Sequence, residues 1–264
     1  MKYLLKLSII GLLFSAGTSL TAGNKTEWRA IKKKHFIIYY LNDSEFADRV
    51  GREAESYYST INRDLGFTRH DGFWLWDNRA TIYIYRMRES FVQASGAPQW
   101  AAGKANASKR LIATYHGSEK FIDSVLPHEM THLIFMEFMG LEKAIPLWLN
   151  EGVAQWEDKS QRNKTENLIR LLYKRNRLIP LEQLMRLDVR TVDDEGVAIV
   201  FYAEAVSVVG FIIKEYGADR FRKFCGQLRD EKSINDALRF TYPKEIYTIG
   251  LLEKSWHNYL KEIK

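Results

Sequence analysis

The chain of 264 residues contains a single cysteine, Cys225. One thiol closes no intrachain disulfide, so the fold must be held by its core. Cys225, in FRKFCGQL, reads as a small buried residue and not as a nucleophile. There is no internal repeat, no low-complexity linker, and no Lys/Arg stripe interleaved with aromatics, so nucleic acid is not an expected partner. The three lysines of IKKKHF read as a solvated edge leading into a strand. The chain does have apolar material for a core, with 46% hydrophobic and 13% aromatic residues. Charged residues make up 27%, which excludes a disordered composition and leaves one sizeable domain as the default.

Charge is also missing from one stretch near the N-terminus. Lys2 and Lys6 precede the uncharged run Leu7–Leu20, and the small residues Thr21, Ala22 and Gly23 follow. This is the pattern of a signal peptide over residues 1–22, cut after Ala22. An uncleaved membrane anchor is the alternative, but the run is short of the roughly 18 apolar residues that a spanning helix needs. No cysteine stands at the cut to carry a lipid. Cleavage would lower the formal charge from +6 to +4, because it removes two lysines and no acid. The expected product is one exported domain, residues 23–264, periplasmic or secreted and without stable membrane insertion. A second apolar run, VAIVFYAEAVSVVGFIIKEYG, is interrupted by Glu204 and closed by Lys214 and Glu215. It reads as a buried core helix.

The remaining pattern divides in two. HFIIYYL (35–41), ATIYIYRM (80–87) and KRLIATYH (109–116) read as strands. A helix over Phe46 to Ile61 is capped by Asp43 or Ser44 and ended by Gly66, and ESFVQASG is a short helix ending in Gly96. Helical spacing then dominates: 119–139, 147–158, 162–175, 197–216, 218–229 and 245–262. The fold class is α+β, with a sheet-rich part over 23–117 and a helical part over 118–264.

At the junction lies SVLPHEMTHLIF. His128 and His132, four apart, share one face of a helix and can bind one metal ion. Glu129, turned about 100° away, would reach a metal-bound water. Chance produces H-E-x-x-H in roughly one such chain per hundred, so two satisfied histidines on a half-buried helix remain an alternative. A catalytic zinc takes three protein ligands. Glu151 in PLWLNEGVAQWED is the candidate third, set among Trp148, Leu149 and Val153, where an unpaired carboxylate is expensive. An exposed glutamate at a helix start is the competing reading. Pro127 removes a donor inside the expected helix and clashes with the residue 123 carbonyl, so the helix should kink there or restart with Pro127 in its first turn.

H-E-x-x-H, eighteen intervening residues and a glutamate in N-E-G resemble the gluzincin zinc metallopeptidases, and LWLNEGVAQW resembles the smaller bacterial peptidase-MA-like proteins. The resemblance implies a thermolysin-like, zincin-type architecture. It implies one zinc ion held by His128, His132 and Glu151, with Glu129 as general base. It also implies Tyr202 as a donor to the oxyanion, although a packing role for Tyr202 stays open. A peptide or protein substrate would lie along an edge strand before the active helix, expected at Leu111–Tyr115. The aminopeptidases' Gly-x-Met-x-Asn loop, with its amine-gripping glutamate, is absent. Glu89 is the only acid between Ala80 and Gly117 and lies in a different setting, so an endopeptidase is expected. A zincin-fold binding module of the envelope without catalysis is the alternative.

Overall fold

Alternating apolar side chains organise the first half of the chain. The computed structural model describes residues 27–67, 74–118 and 120–262, so the expected leader over 1–22 lies outside the described residues. Strand β2 (Phe36–Tyr40) and strand β3 (Ala80–Tyr85) bury every second residue, among them Phe36, Ile38, Ile82 and Ile84. With β1 (Arg29–Lys32), β4 (Gly103–Asn106) and β5 (Leu111–Tyr115) they form one sheet of order β1-β2-β3-β5-β4. The central pairs β2/β3 and β3/β5 are parallel, and both outer pairs are antiparallel. The expected strands appear within a residue or two of their bounds. Strands β1 and β4 do not announce themselves in sequence, because each is four residues long and largely polar or small. The solvated lysine edge of IKKKHF is β1, whose charges discourage pairing with another chain.

Helix α1 (Ser44–Asp64) lies on the inner face of the sheet. Asp43 caps it by accepting the Glu45 and Phe46 amides, and Gly66 follows at φ 76°. Helix α2 (Arg88–Ser95) ends at Gly96 (φ 61°), as read from the sequence. The helical half comprises α3 (Leu126–Met139), α4 (Leu147–Glu157), α5 (Lys159–Lys174), α6 (Leu181–Leu184), α7 (Glu195–Tyr216), α8 (Ala218–Arg229), α9 (Ile234–Thr241) and α10 (Ile249–Glu262). The short α6 and α9 were not foreseen, and α10 begins four residues later than its periodicity suggests.

Among the described residues α7 alone is long and apolar enough to span a membrane, but it packs against α4, α5, α8 and α10 as a core helix. Its contact with α4 is closest at two glycines. A Cβ on Gly152 would stand 2.6 Å from the Ala205 carbonyl oxygen, and one on Gly210 would stand 2.3 Å from the Trp156 ring. Glu204, wholly buried on α7, accepts the Ile179 amide at 2.7 Å and so pins the segment leading into α6.

Candidate metal centre

The N-terminal end of α3 is built around its proline. Residues Phe121–Val125 make a π-helical turn, in which the amides of Val125 and Leu126 reach back five residues to Lys120 and Phe121. The wider turn lets α3 restart at Leu126 with Pro127 in its first turn, where a missing N–H leaves no bond unmade. Restart is therefore the correct reading of Pro127. It presents His128 and Glu129 in the first turn of the new helix and His132 in the second, all buried.

Helix α4 runs antiparallel to α3. His132 Nδ1 lies 3.1 Å from Asn150 Oδ1, and Ser124 Oγ donates to Asp158 at the far end. This register brings Glu151 to His132. Glu151 is 4% exposed, which rules out the exposed helix-start reading. Gly152 beside it lets α4 seat against the backbone of α7.

Three side chains converge here. His128 Nε2 and His132 Nε2 face each other at 3.2 Å, and His132 Nε2 lies 4.0 Å from Glu151 Oε1. One ligand atom from each of His128, His132 and Glu151 lies within 4.8 Å of the others. Asn150 accepts the Nδ1 proton of His132, which leaves Nε2 with a lone pair aimed at the centre. Burial pushes the His132 imidazole down to about 4. Burial, with the neighbouring His132 second, takes His128 well below its ordinary value. Both are therefore neutral, the form that ligates a metal. Burial pushes the Glu151 carboxyl up to about 8, with the Glu129 charge adding and Arg190 opposing. Burial likewise takes Glu129 to about 7, against the Ala105 amide and the Lys104 charge. Glu151 Oε2, Glu129 Oε1 and His128 Nδ1 have no hydrogen-bond partner. A buried corner with converging lone pairs and unmatched carboxylate oxygens lacks a positive charge. The donor set, two imidazoles and a carboxylate, fits a zinc ion with an open coordination position.

The bordering strand differs from expectation. Leu111–Tyr115 is β5, an interior strand between β3 and β4, and is not the edge. The edge over the site is β4, whose Ala105 amide donates to Glu129 Oε2 at 2.9 Å. GKAN lacks the β-branched residues that mark a strand, so its sequence carries no strand signal. Tyr202 lies on α7 and is 6% exposed. Burial raises its phenol, the Glu151 charge raises it further, and Arg190 opposes. Arg190 itself was not singled out from sequence. It stands on the turn Val189–Thr191 and is clasped by Asp188 at 2.7 and 2.6 Å. Asn150 could have been found from its place beside Glu151 in N-E-G. Ala105 and Arg190 carry no comparable local signal. Glu89 is exposed in the first turn of α2, and Cys225 is fully buried on α8.

The model of the Peptidase MA superfamily matches residues 72–262. The chain belongs to that superfamily. The match spans β3 to α10 and so includes the whole of the corner just described. Membership makes this a peptidase-type enzyme in general, of a superfamily that is typically zinc-dependent. No curated protein matches the sequence.

Proposed function

We propose that this Peptidase MA member is an exported zinc metallopeptidase and that it cleaves within polypeptides. His128, His132 and Glu151 hold the ion, and Glu129 is the general base. When bound, zinc would polarise the scissile carbonyl and acidify a water. The chain's own groups do the rest. Ala105 fixes one oxygen of Glu129 and leaves Oε1 without a partner. That oxygen takes the proton of the attacking water and returns it to the leaving amine. The Tyr202 hydroxyl donates to the developing oxyanion. The Ala105 amide points outward from β4 to Glu129, so Gly103, two residues earlier, turns its amide and carbonyl to the same free edge, where an extended substrate can add as a strand. GKAN carries no carboxylate to grip a terminal amine, which supports internal cleavage. The uncharged run Leu7–Leu20 behind Lys2 and Lys6 supports export, with residues 23–264 as one domain.

One observation carries the reading: ligand atoms of two imidazoles and a carboxylate and an unpartnered Glu129 oxygen share one buried corner. Metal analysis of native protein should find about one zinc per chain. Glu129→Gln should retain that zinc and lose about 10²–10⁴-fold in cleavage of an unfolded protein substrate. Zinc-free native protein would refute the proposal. A zinc-loaded wild type that cleaves nothing would leave the binding-module reading in its place.

A further inference from the structure

The sheet has a second face, away from the metal corner. Helix α2 covers its β3/β5 side, and no described helix packs on the outer face of β1 and β2. That face carries aromatic rings. Tyr39 and Tyr83 stack at 4.8 Å, and Trp28 stands edge-on to Tyr83 and Tyr85 at 5.1 and 5.2 Å. Arg88 lies over Tyr115 at 5.6 Å. These rings are half-buried, so each keeps a polar tip or edge in solvent.

Charge around them is one-sided. Segments 27–41, 79–89 and 103–116 hold ten Lys and Arg but only two acids, Glu27 and Glu89, although the whole chain is only +6. Lys33 and Arg110 are paired to Asp48 and Glu137. Arg29, Lys32, Lys34, Arg79, Arg86 and Arg88 make no ion pair among the described residues. In the strands' register Lys32 sits opposite Ile37, on the same face as Tyr39. Arg86 and Arg88 close one end of the aromatic patch, and Lys34 and Arg79 close the other.

We infer that this face docks on an anionic phospholipid surface. Tyr and Trp rings favour the headgroup level of a bilayer, where one end is apolar and the other wet. Free Lys and Arg near such a surface each contribute about 1 kcal/mol of attraction to acidic lipid. The sequence supplies a second pointer to lipid over a soluble polyanion. The apolar run ends at Leu20, and the eight steps from there to Trp28 reach at most about 29 Å. The chain therefore delivers this face to the bilayer that its N-terminal segment addresses, and docking would outlast cleavage of that segment. The metal corner lies on the opposite side of the sheet, beneath the free edge of β4, and would not face the bilayer.

The test uses the chain from Gly23 onward, which contains every described residue. It is mixed with vesicles of phosphatidylcholine alone or with phosphatidylglycerol added. Binding should require phosphatidylglycerol and weaken with salt. It should fall about tenfold or more in Lys32→Glu/Arg86→Glu/Arg88→Glu. Brominated acyl chains should quench a fluorescence component that is lost in Trp28→Phe. Circular dichroism and zinc content should be unchanged in both variants, which separates docking from misfolding. Equal binding to both vesicles, or binding indifferent to charge reversal, would overturn the inference. So would binding to heparin with no bromine quenching of Trp28, which would mark a soluble-polyanion site.

Discussion

Helix α3 carries a glutamate near each end, and the two live under opposite conditions. Glu137, near the C-terminal end, receives the Trp74 indole N–H at 2.6 Å and two Arg110 donors at 2.9 and 3.2 Å. Both of its oxygens are matched, and its environment is complete within the chain. Glu129, near the N-terminal end, is more deeply buried, yet only one of its oxygens has a partner. Its neighbours add no cation in contact, only two neutral imidazoles and a second carboxylate. A fold that can satisfy one glutamate with Arg and Trp leaves the other incomplete two turns away. Glu204 and Glu157 also bury an oxygen without a partner, so what sets Glu129 apart is its place beside His128, His132 and Glu151, whose ligand atoms lie within 4.8 Å of one another.

The contrast can be broken from either end. The largest effect belongs to the ligands. Excess zinc at about a thousand times its dissociation constant should stabilise wild type by about 4 kcal/mol, read as a rise in Tm. His132→Ala should show no such rise, and an unchanged response would remove His132 from the ligand set. Next comes Gly152→Ala. Its Cβ would collide with the Ala205 carbonyl at 2.6 Å and the Val209 side chain at 2.7 Å. Pushing α4 off α7 should cost about 1–3 kcal/mol in denaturant unfolding and weaken zinc retention, because Glu151 moves with the helix. Glu137→Gln tests the satisfied end. It should lose about 1–2 kcal/mol, tempered by the partial exposure of Arg110, while zinc content stays unchanged.

The smallest effect is a pH trend. In metal-free protein Glu129 and Glu151 titrate near 7 and 8, above their unfolded value of 4.5. Between about pH 6.5 and 8 the native state therefore holds protons that the unfolded state has released, so stability falls as pH rises. Below about 6.5 the buried neutral histidines act the other way, because the unfolded state then gains protons that they do not. With zinc bound the carboxylates stay ionised, and affinity rises as their protons leave. The Tm gap between zinc-loaded and chelated protein should widen from pH 6.5 to 8, whereas a constant gap would mean that these carboxylates do not face the metal.

Much of this was legible in the linear chain because the signals are local. The i, i+4 histidines need only a helix, and the long strands and helices announce themselves by period. Glu151 was found because burying a carboxylate beside Trp148 and Leu149 demands a reason. The edge strand was misplaced to Leu111–Tyr115. GKAN has little intrinsic strand preference and becomes β4 only by pairing with β5 and packing on α3. Arg190 and the α7 contact with Glu151 depend on chain segments some forty to fifty residues apart, and no window of sequence contains them.

The sequence by itself determined the candidate ligand set and the α+β division, and it confined α3 to a kink or a restart at Pro127. Each follows from side-chain type, spacing or backbone sterics within a few residues. Only the tertiary structure decided which strand edges the cleft, that the Ala105 amide holds Glu129, that Gly152 seats Glu151 against α7, and that the corner has no cation in contact. Burial and partnering are properties of what packs around a residue, and those neighbours are brought together by folding alone.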